Sequence, residues 1–156
     1  MKKLSILGLV LALLALAGQA EAEGLLDRLK NTDFVGGLKS PPGAKVYFIN
    51  IKDGDTVSNP VLIQFGLKVM GVAPAQIRME NTGHFHLLIN KPLIQIDLNR
   101  PLEPNDPRIK HFDNGETELL AKFPAGVYKL RIVFGNFNHM THNPPVMSDE
   151  ITVKVE

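Results

Sequence analysis

The chain has 156 residues, with 17 basic and 16 acidic side chains, a net charge of +1 and no cysteine. That balance offers no electrostatic case for nucleic acid or an anionic membrane surface as a partner. Without thiols there are no disulfides and no thiolate ligands, so any metal site must use His, Met or carboxylate groups.

Lys2 and Lys3 precede an apolar run from Leu4 to Ala17, and Ala20-Glu21-Ala22 gives a small-x-small cleavage pattern. These are the marks of a signal peptide over residues 1–22. Gly18 and Gln19 interrupt the run before it reaches the about 20 apolar residues that a membrane span needs. Removing 22 of the 156 residues leaves 134, enough for one domain with a sizeable core, and takes the charge count to 15 basic and 15 acidic groups. The expected product is periplasmic or secreted, with no stable membrane span after cleavage.

Residues 23–43 read as a linker, because Gly36-Gly37 and Pro41-Pro42 break any helix begun by Leu25, Leu26 and Leu29. From residue 44 to residue 156 the pattern is β. Lys45 to Asn50 is rich in branched and aromatic residues and closes on the Asp53-Gly54-Asp55 turn, and Pro60 opens a second strand through Leu67. Ile77-Arg78-Met79 reads as a short edge strand, followed by Asn81 to Ile89. Pro92 to Arg108, with prolines also at 101, 104 and 107, reads as a connection with room for one short strand over 93–98. Asp113-Asn114-Gly115 is a turn leading into Glu116 to Phe123, and Pro124-Ala125-Gly126 leads into the alternating strand Val127 to Phe134. A last alternating strand runs from Asp149 to Glu156. About seven short strands with no helix predict an antiparallel immunoglobulin-like β-sandwich, a small barrel being the alternative.

The chemistry concentrates in histidines. In Asn81-Thr82-Gly83-His84-Phe85-His86-Leu87-Leu88-Ile89, strand alternation puts His84, His86 and Leu88 on one face and Phe85, Leu87 and Ile89 on the other. A second pair, His139 and His142, lies in the loop before the final strand, which Gly135 opens and Pro144-Pro145 closes. In an immunoglobulin-like sandwich the third strand pairs with the sixth and the sixth with the seventh, so this loop falls at the end of the sheet that carries His84 and His86. Four imidazoles would then converge as ligands for copper or zinc. His111 reads as structural, though able to complete the set, and Met140 reads as packing, with Met79 and Met147 flanking the two segments. Asp53 and Asp55 read as turn formers, and there is no nucleophile elbow and no phosphate-cradling loop.

The segments Ala44 to Ile49, Asp53 to Val57, Gln64 to Leu67, Gly71 to Ala75, Asn81 to Ile89 and His139 to Ser148 together resemble an uncharacterised family of exported bacterial domains, a domain of unknown function. Its members usually read Gly-His-His-His-Leu-Leu-Ile where this chain has Phe85, and His-x-Pro-His-x-Pro-Pro-Val where Met140-Thr141 precede His142. The resemblance spans about Ala44 to Val155. It implies a single exported β domain and brings no activity with it. The departure at Phe85 leaves the His84 and His86 pair intact. Periplasmic copper carriers with cupredoxin-like sandwiches are a looser analogy of fold alone, since their His and Met spacings are not reproduced.

The expected function is therefore transition-metal binding, copper ahead of zinc, through His84, His86, His139 and His142, in a carrier, buffer or accessory protein. The alternative is a non-catalytic envelope interaction or adhesion module with a protein partner and no metal. Enzyme chemistry is not expected, although a histidine-only centre with an open position can activate water.

Overall fold

Alternation of branched and polar residues becomes strand in much of the described chain. The computed structural model describes residues 38–156, so the expected signal peptide and residues 23–37 of the expected linker lie outside the described residues. Ten strands follow in order: β1 (Lys45–Phe48), β2 (Thr56–Val57), β3 (Val61–Lys68), β4 (Gly71–Val72), β5 (Thr82–Ile89), β6 (Ile109–His111), β7 (Glu118–Ala121), β8 (Gly126–Gly135), β9 (Thr141–Met147) and β10 (Ile151–Val155). The smaller sheet has the order β1-β3-β7, and the larger runs β2-β10-β8-β5-β4, with β6 also on β5 and β9 also on β8.

The pairing is antiparallel except for β2 with β10 and β4 with β5. As expected of an immunoglobulin-like sandwich, the histidine strand β5 pairs with β8, and β8 pairs with the strands that follow it. The strand number exceeds seven because the sheets carry two-residue edge pieces and because most of the segment expected as the histidine loop before the final strand itself forms β9, paired with β8. The Ile77-Arg78-Met79 strand does not form; the edge position is taken by β4. The outer part of the expected linker is tied down, since Lys39 bridges Asn143 and the Ser40 hydroxyl donates to the Pro144 carbonyl at 2.8 Å.

Between the sheets lies the main core, with Val46, Ile63 and Phe65 on one side and Phe85, Leu87, Leu130, Ile132 and Phe134 on the other. The Phe65 ring centroid lies 5.1 Å from that of Phe85, tilted, and 4.8 Å from that of Phe112, edge to face. Each such ring, fully buried, contributes roughly 1.5–3 kcal/mol relative to exposure. These contacts fix the register of β5 and hence the direction of its other face.

That other face is buried too. Leu88 packs with Val133 and Ile109 beneath Leu102, with Ile96 and Met147 at the margin. Leu102 belongs to the proline-rich segment read as a bare connection, which instead forms a cover. Its one regular element is a 3-10 turn, Leu93–Gln95, in place of the expected strand. Asp106 anchors the cover by accepting hydrogen bonds from Lys91 Nζ and from Arg108 Nε and Nη2. The Arg108 guanidinium first, then Lys91, hold the Asp106 carboxyl far below the usual carboxylate range. No helix among the described residues is long and apolar enough to cross a membrane.

Candidate metal centre

Alternation along β5 places His84 and His86 on the outer face with Leu88, and both histidines are fully buried. Cross-strand pairing brings two further elements to them. His86 lies opposite Val133 of β8 on one side and opposite His111 of β6 on the other, and His84 lies opposite Gly135. The chain then leaves β8 and turns back over this corner, carrying His139 in the loop between β8 and β9.

Asn136 holds that loop. Its side-chain Oδ1 accepts hydrogen bonds from the backbone N–H of Asn138 at 2.8 Å and of Met140 at 3.2 Å, while its own carbonyl accepts from His139 N–H at 2.9 Å. The His139 carbonyl in turn accepts from Leu102 N–H at 2.9 Å, which joins the loop to the cover. His139 adopts a left-handed backbone, φ 61°, a conformation sparsely populated outside glycine and held here by the surrounding hydrogen bonds.

Three imidazole nitrogens converge on one. His139 Nδ1 stands 3.0 Å from His84 Nε2, 3.2 Å from His86 Nε2 and 3.3 Å from His111 Nδ1. A ring nitrogen carries either one hydrogen or one lone pair, so hydrogen bonding can satisfy only one of these approaches with good geometry. Ligands about 2.05 Å from a tetrahedral metal ion are about 3.3 Å apart, and the three distances to His139 Nδ1, 3.0 to 3.3 Å, fall close to that spacing. His84, His86 and His139 offer ligand atoms that all lie within 4.8 Å of one another, and they can hold a metal ion. His111, Asp113 and His139 form a second such set. Asp113 Oδ1 lies 3.8 Å from His84 Nε2 and 3.8 Å from His139 Nδ1.

Burial keeps the ligands in the form a metal needs. Desolvation, with the neighbouring His139 second, pushes His84 down to about 4, and only Asp113 opposes it. Desolvation first and His84 second lower His86 well below the ordinary histidine range, and desolvation lowers His139 against the pull of Asp113. His111 is oriented from behind: its Nε2 faces the Glu103 carbonyl at 3.2 Å, so that nitrogen carries the hydrogen and Nδ1 is free to point a lone pair inward. The Nδ1 atoms of His84 and His86 are buried without a hydrogen-bond partner, the Val133 carbonyl drawing on the His86 ring without reaching full hydrogen-bond geometry. Leaving such groups unpaired costs about 1–3 kcal/mol each.

Of the four histidines expected as ligands, the structure brings His84, His86 and His139 together and places His142 elsewhere. His142 lies on β9, stacked on Phe134 at 5.8 Å, with Nδ1 3.2 Å from the Phe134 carbonyl and Nε2 3.3 Å from the Thr82 carbonyl. A register shift between Phe134 and Gly135 lets the chain resume pairing at Thr141, and this carries the ring three residues later away from the cluster. In its place stands His111, read from the sequence as structural though able to complete the set, together with Asp113, read as part of a turn. Gly135 was expected to sharpen the loop entry; it also makes room, since a Cβ there would sit 2.6 Å from Cε1 of His86. Gly83 meets the same crowding from the other strand, a Cβ there falling 2.2 Å from the Gly135 carbonyl oxygen. Met147, one of the flanking methionines, packs at the margin of the outer core.

Comparison with curated proteins and with solved structures gives no match. Residues 63–156, a span that contains all five histidines and Asp113, match a family described as Domain of unknown function (DUF4399), and the chain belongs to that family.

Proposed function

We propose that this domain is an exported transition-metal-binding protein, a copper carrier, buffer or accessory protein, with zinc as the second candidate. The observation that carries the reading is the approach of three imidazole nitrogens, at 3.0, 3.2 and 3.3 Å, to the single Nδ1 of His139. A cation held among these nitrogens turns mutual crowding into coordination. An all-imidazole inner set suits copper and zinc, and copper(II) stands above zinc in the affinity order for nitrogen ligands. A sandwich that places the ligands on two paired strands and a clamped loop has little ordering entropy left to lose on binding.

Calorimetry on the purified protein with Cu(II), Cu(I) and Zn(II), repeated on His84→Ala and His139→Ala, tests this. Tight binding by the wild type and its loss in both variants is expected; equally weak binding in all three proteins overturns it.

A protein partner in the envelope has its own support. Val72, Ile77 and Met79 expose apolar surface on the segment whose Ala75 and Gln76 N–H groups donate to the carbonyls of Asp113 and Phe137, close to the ligands. If contact through this rim is the whole function, chelators leave partner capture from envelope extracts unchanged; a carrier loses capture when the metal is removed.

A further inference from the structure

The geometry points to a second, outer metal position formed by His111, Asp113 and His139, from which an ion reaches the buried His84, His86 and His139 position by ligand exchange about the shared His139. This rests on the metal-binding reading above and adds a loading route to it.

The two sets have one atom in common. His139 Nδ1 faces His84 Nε2 at 3.0 Å and His86 Nε2 at 3.2 Å on the inner side, and His111 Nδ1 at 3.3 Å and Asp113 Oδ1 at 3.8 Å on the outer side. An imidazole nitrogen has a single lone pair to give, so the two positions are filled in turn rather than together. Exposure rises in the same direction: the side chains of His84 and His86 are sealed, whereas those of His111, His139 and Asp113 are 11%, 26% and 53% exposed. An ion arriving from solvent meets the outer set first.

Charge and ligand type follow the same order. The inner set consists of neutral imidazoles and exerts no net attraction on a hydrated cation. Asp113 supplies the carboxylate, at the exposed edge, where it raises the local cation concentration and the encounter rate. Its Oδ1 is 4.0 Å from His111 Nδ1 and 3.8 Å from His84 Nε2, so one carboxylate oxygen stands between the two sets. An ion held by Asp113, His111 and His139 can exchange Asp113 or a water for His84, then His111 for His86, while His139 stays attached. Each exchange replaces one ligand, and the full hydration shell is never lost in a single step. The transfer involves no change of oxidation state. The hydrogen bond arrangement at Glu103 prepares His111 for this role by directing its Nδ1 toward His139.

Stopped-flow mixing of Cu(II) with the purified protein, followed by visible absorbance, and the reverse transfer to a strong chelator, test the route. Asp113→Asn should slow uptake by about tenfold while weakening Kd by clearly less, so that release slows as well, because a station on the path acts on both rates. His86→Leu should lose the tight phase and keep rapid, weak uptake at the outer set. The route is overturned if Asp113→Asn leaves both rates at the wild-type value, and also if it weakens Kd in step with the slower uptake, which would make Asp113 an ordinary ligand of one site. If instead the wild type takes up no Cu(II), the metal-binding reading itself fails; rates that fail to change in a protein that binds tightly sink only the loading route.

Discussion

Strand β5 presents one outer face with two different ends. At one end Leu88 is covered by Leu102, Ile109 and Val133, an ordinary apolar cluster. At the other end His84 and His86 are buried as completely, yet each leaves an Nδ1 without a hydrogen bond. Equal burial therefore has unequal consequences: the leucine end gains free energy on folding, and the histidine end gives some back. Stability alone would favour apolar residues at both ends. The cost is concentrated where the protein can bind something, which is the pattern expected of a site held ready for a ligand.

Substitutions at the two ends should separate these contributions most sharply. Leu88→Ala should lower the unfolding free energy by about 2–5 kcal/mol, with metal affinity changed far less, because it opens a cavity without removing a ligand atom. His86→Leu should do the reverse. The metal-free protein should be as stable as wild type or more so, since a buried unpaired nitrogen is gone. Metal affinity should fall by about 100-fold or more, about 2.8 kcal/mol. Thermal melts with and without metal measure both terms together; at free metal about 1,000 times Kd the wild type should gain about 4 kcal/mol and the His86→Leu protein little. Equal metal-induced stabilisation of the two proteins would erase the distinction between the ends.

A smaller effect is expected from the loop that completes the histidine end. Asn136→Ala removes the acceptor for the Asn138 and Met140 N–H groups from a residue only 4% exposed. The loss should be about 1–3 kcal/mol of stability, and metal affinity should weaken by about tenfold as His139 loses its fixed position. Asn136→Asp, which keeps an acceptor oxygen, should recover most of the affinity. Failure of that rescue would show that the loop is held by something other than these hydrogen bonds.

How much of this corner could be read in advance follows from the range of each signal. Period-two alternation identified the outward pair His84 and His86, and the usual strand order of an immunoglobulin-like sandwich brought the late loop with His139 to the same sheet. His111 reads as structural, with completion of the set left open, because β6 is three residues long and its pairing with β5 is a tertiary event, with no periodicity of its own to announce it. Asp113 carried the signature of a turn, which it also forms part of, and that signature masks its second position beside the ligands. His142 misled because spacing within a loop says nothing about a register shift, and the shift at Phe134 and Gly135 decides where the ring goes. Leu102 was lost among prolines, although its burial against Leu88 forms much of the outer core.

Acid should act on the histidine end alone, and through folding stability rather than through metal affinity. His84 has a folded-state pKa of about 4 against an ordinary value of 6.5, because burial and the nearby His139 oppose its charge. Between those two values the unfolded chain takes up a proton that the folded chain does not, so the stability of the metal-free protein declines as pH falls from 6.5 to about 4 and is level above that window. His86, His139 and His142 are lowered in the same direction and add to the decline. The folded site, by contrast, keeps His84 unprotonated through the same interval, so protons do not compete there for its Nε2. Metal affinity should therefore fall less between pH 7 and about 5 than that of a cluster of solvent-exposed histidines, which would already have lost most of its binding. Calorimetric titrations at pH 7, 6 and 5 measure this directly, and a steep fall in affinity centred on 6.5 would mean that the ligands are not sealed as the structure has them.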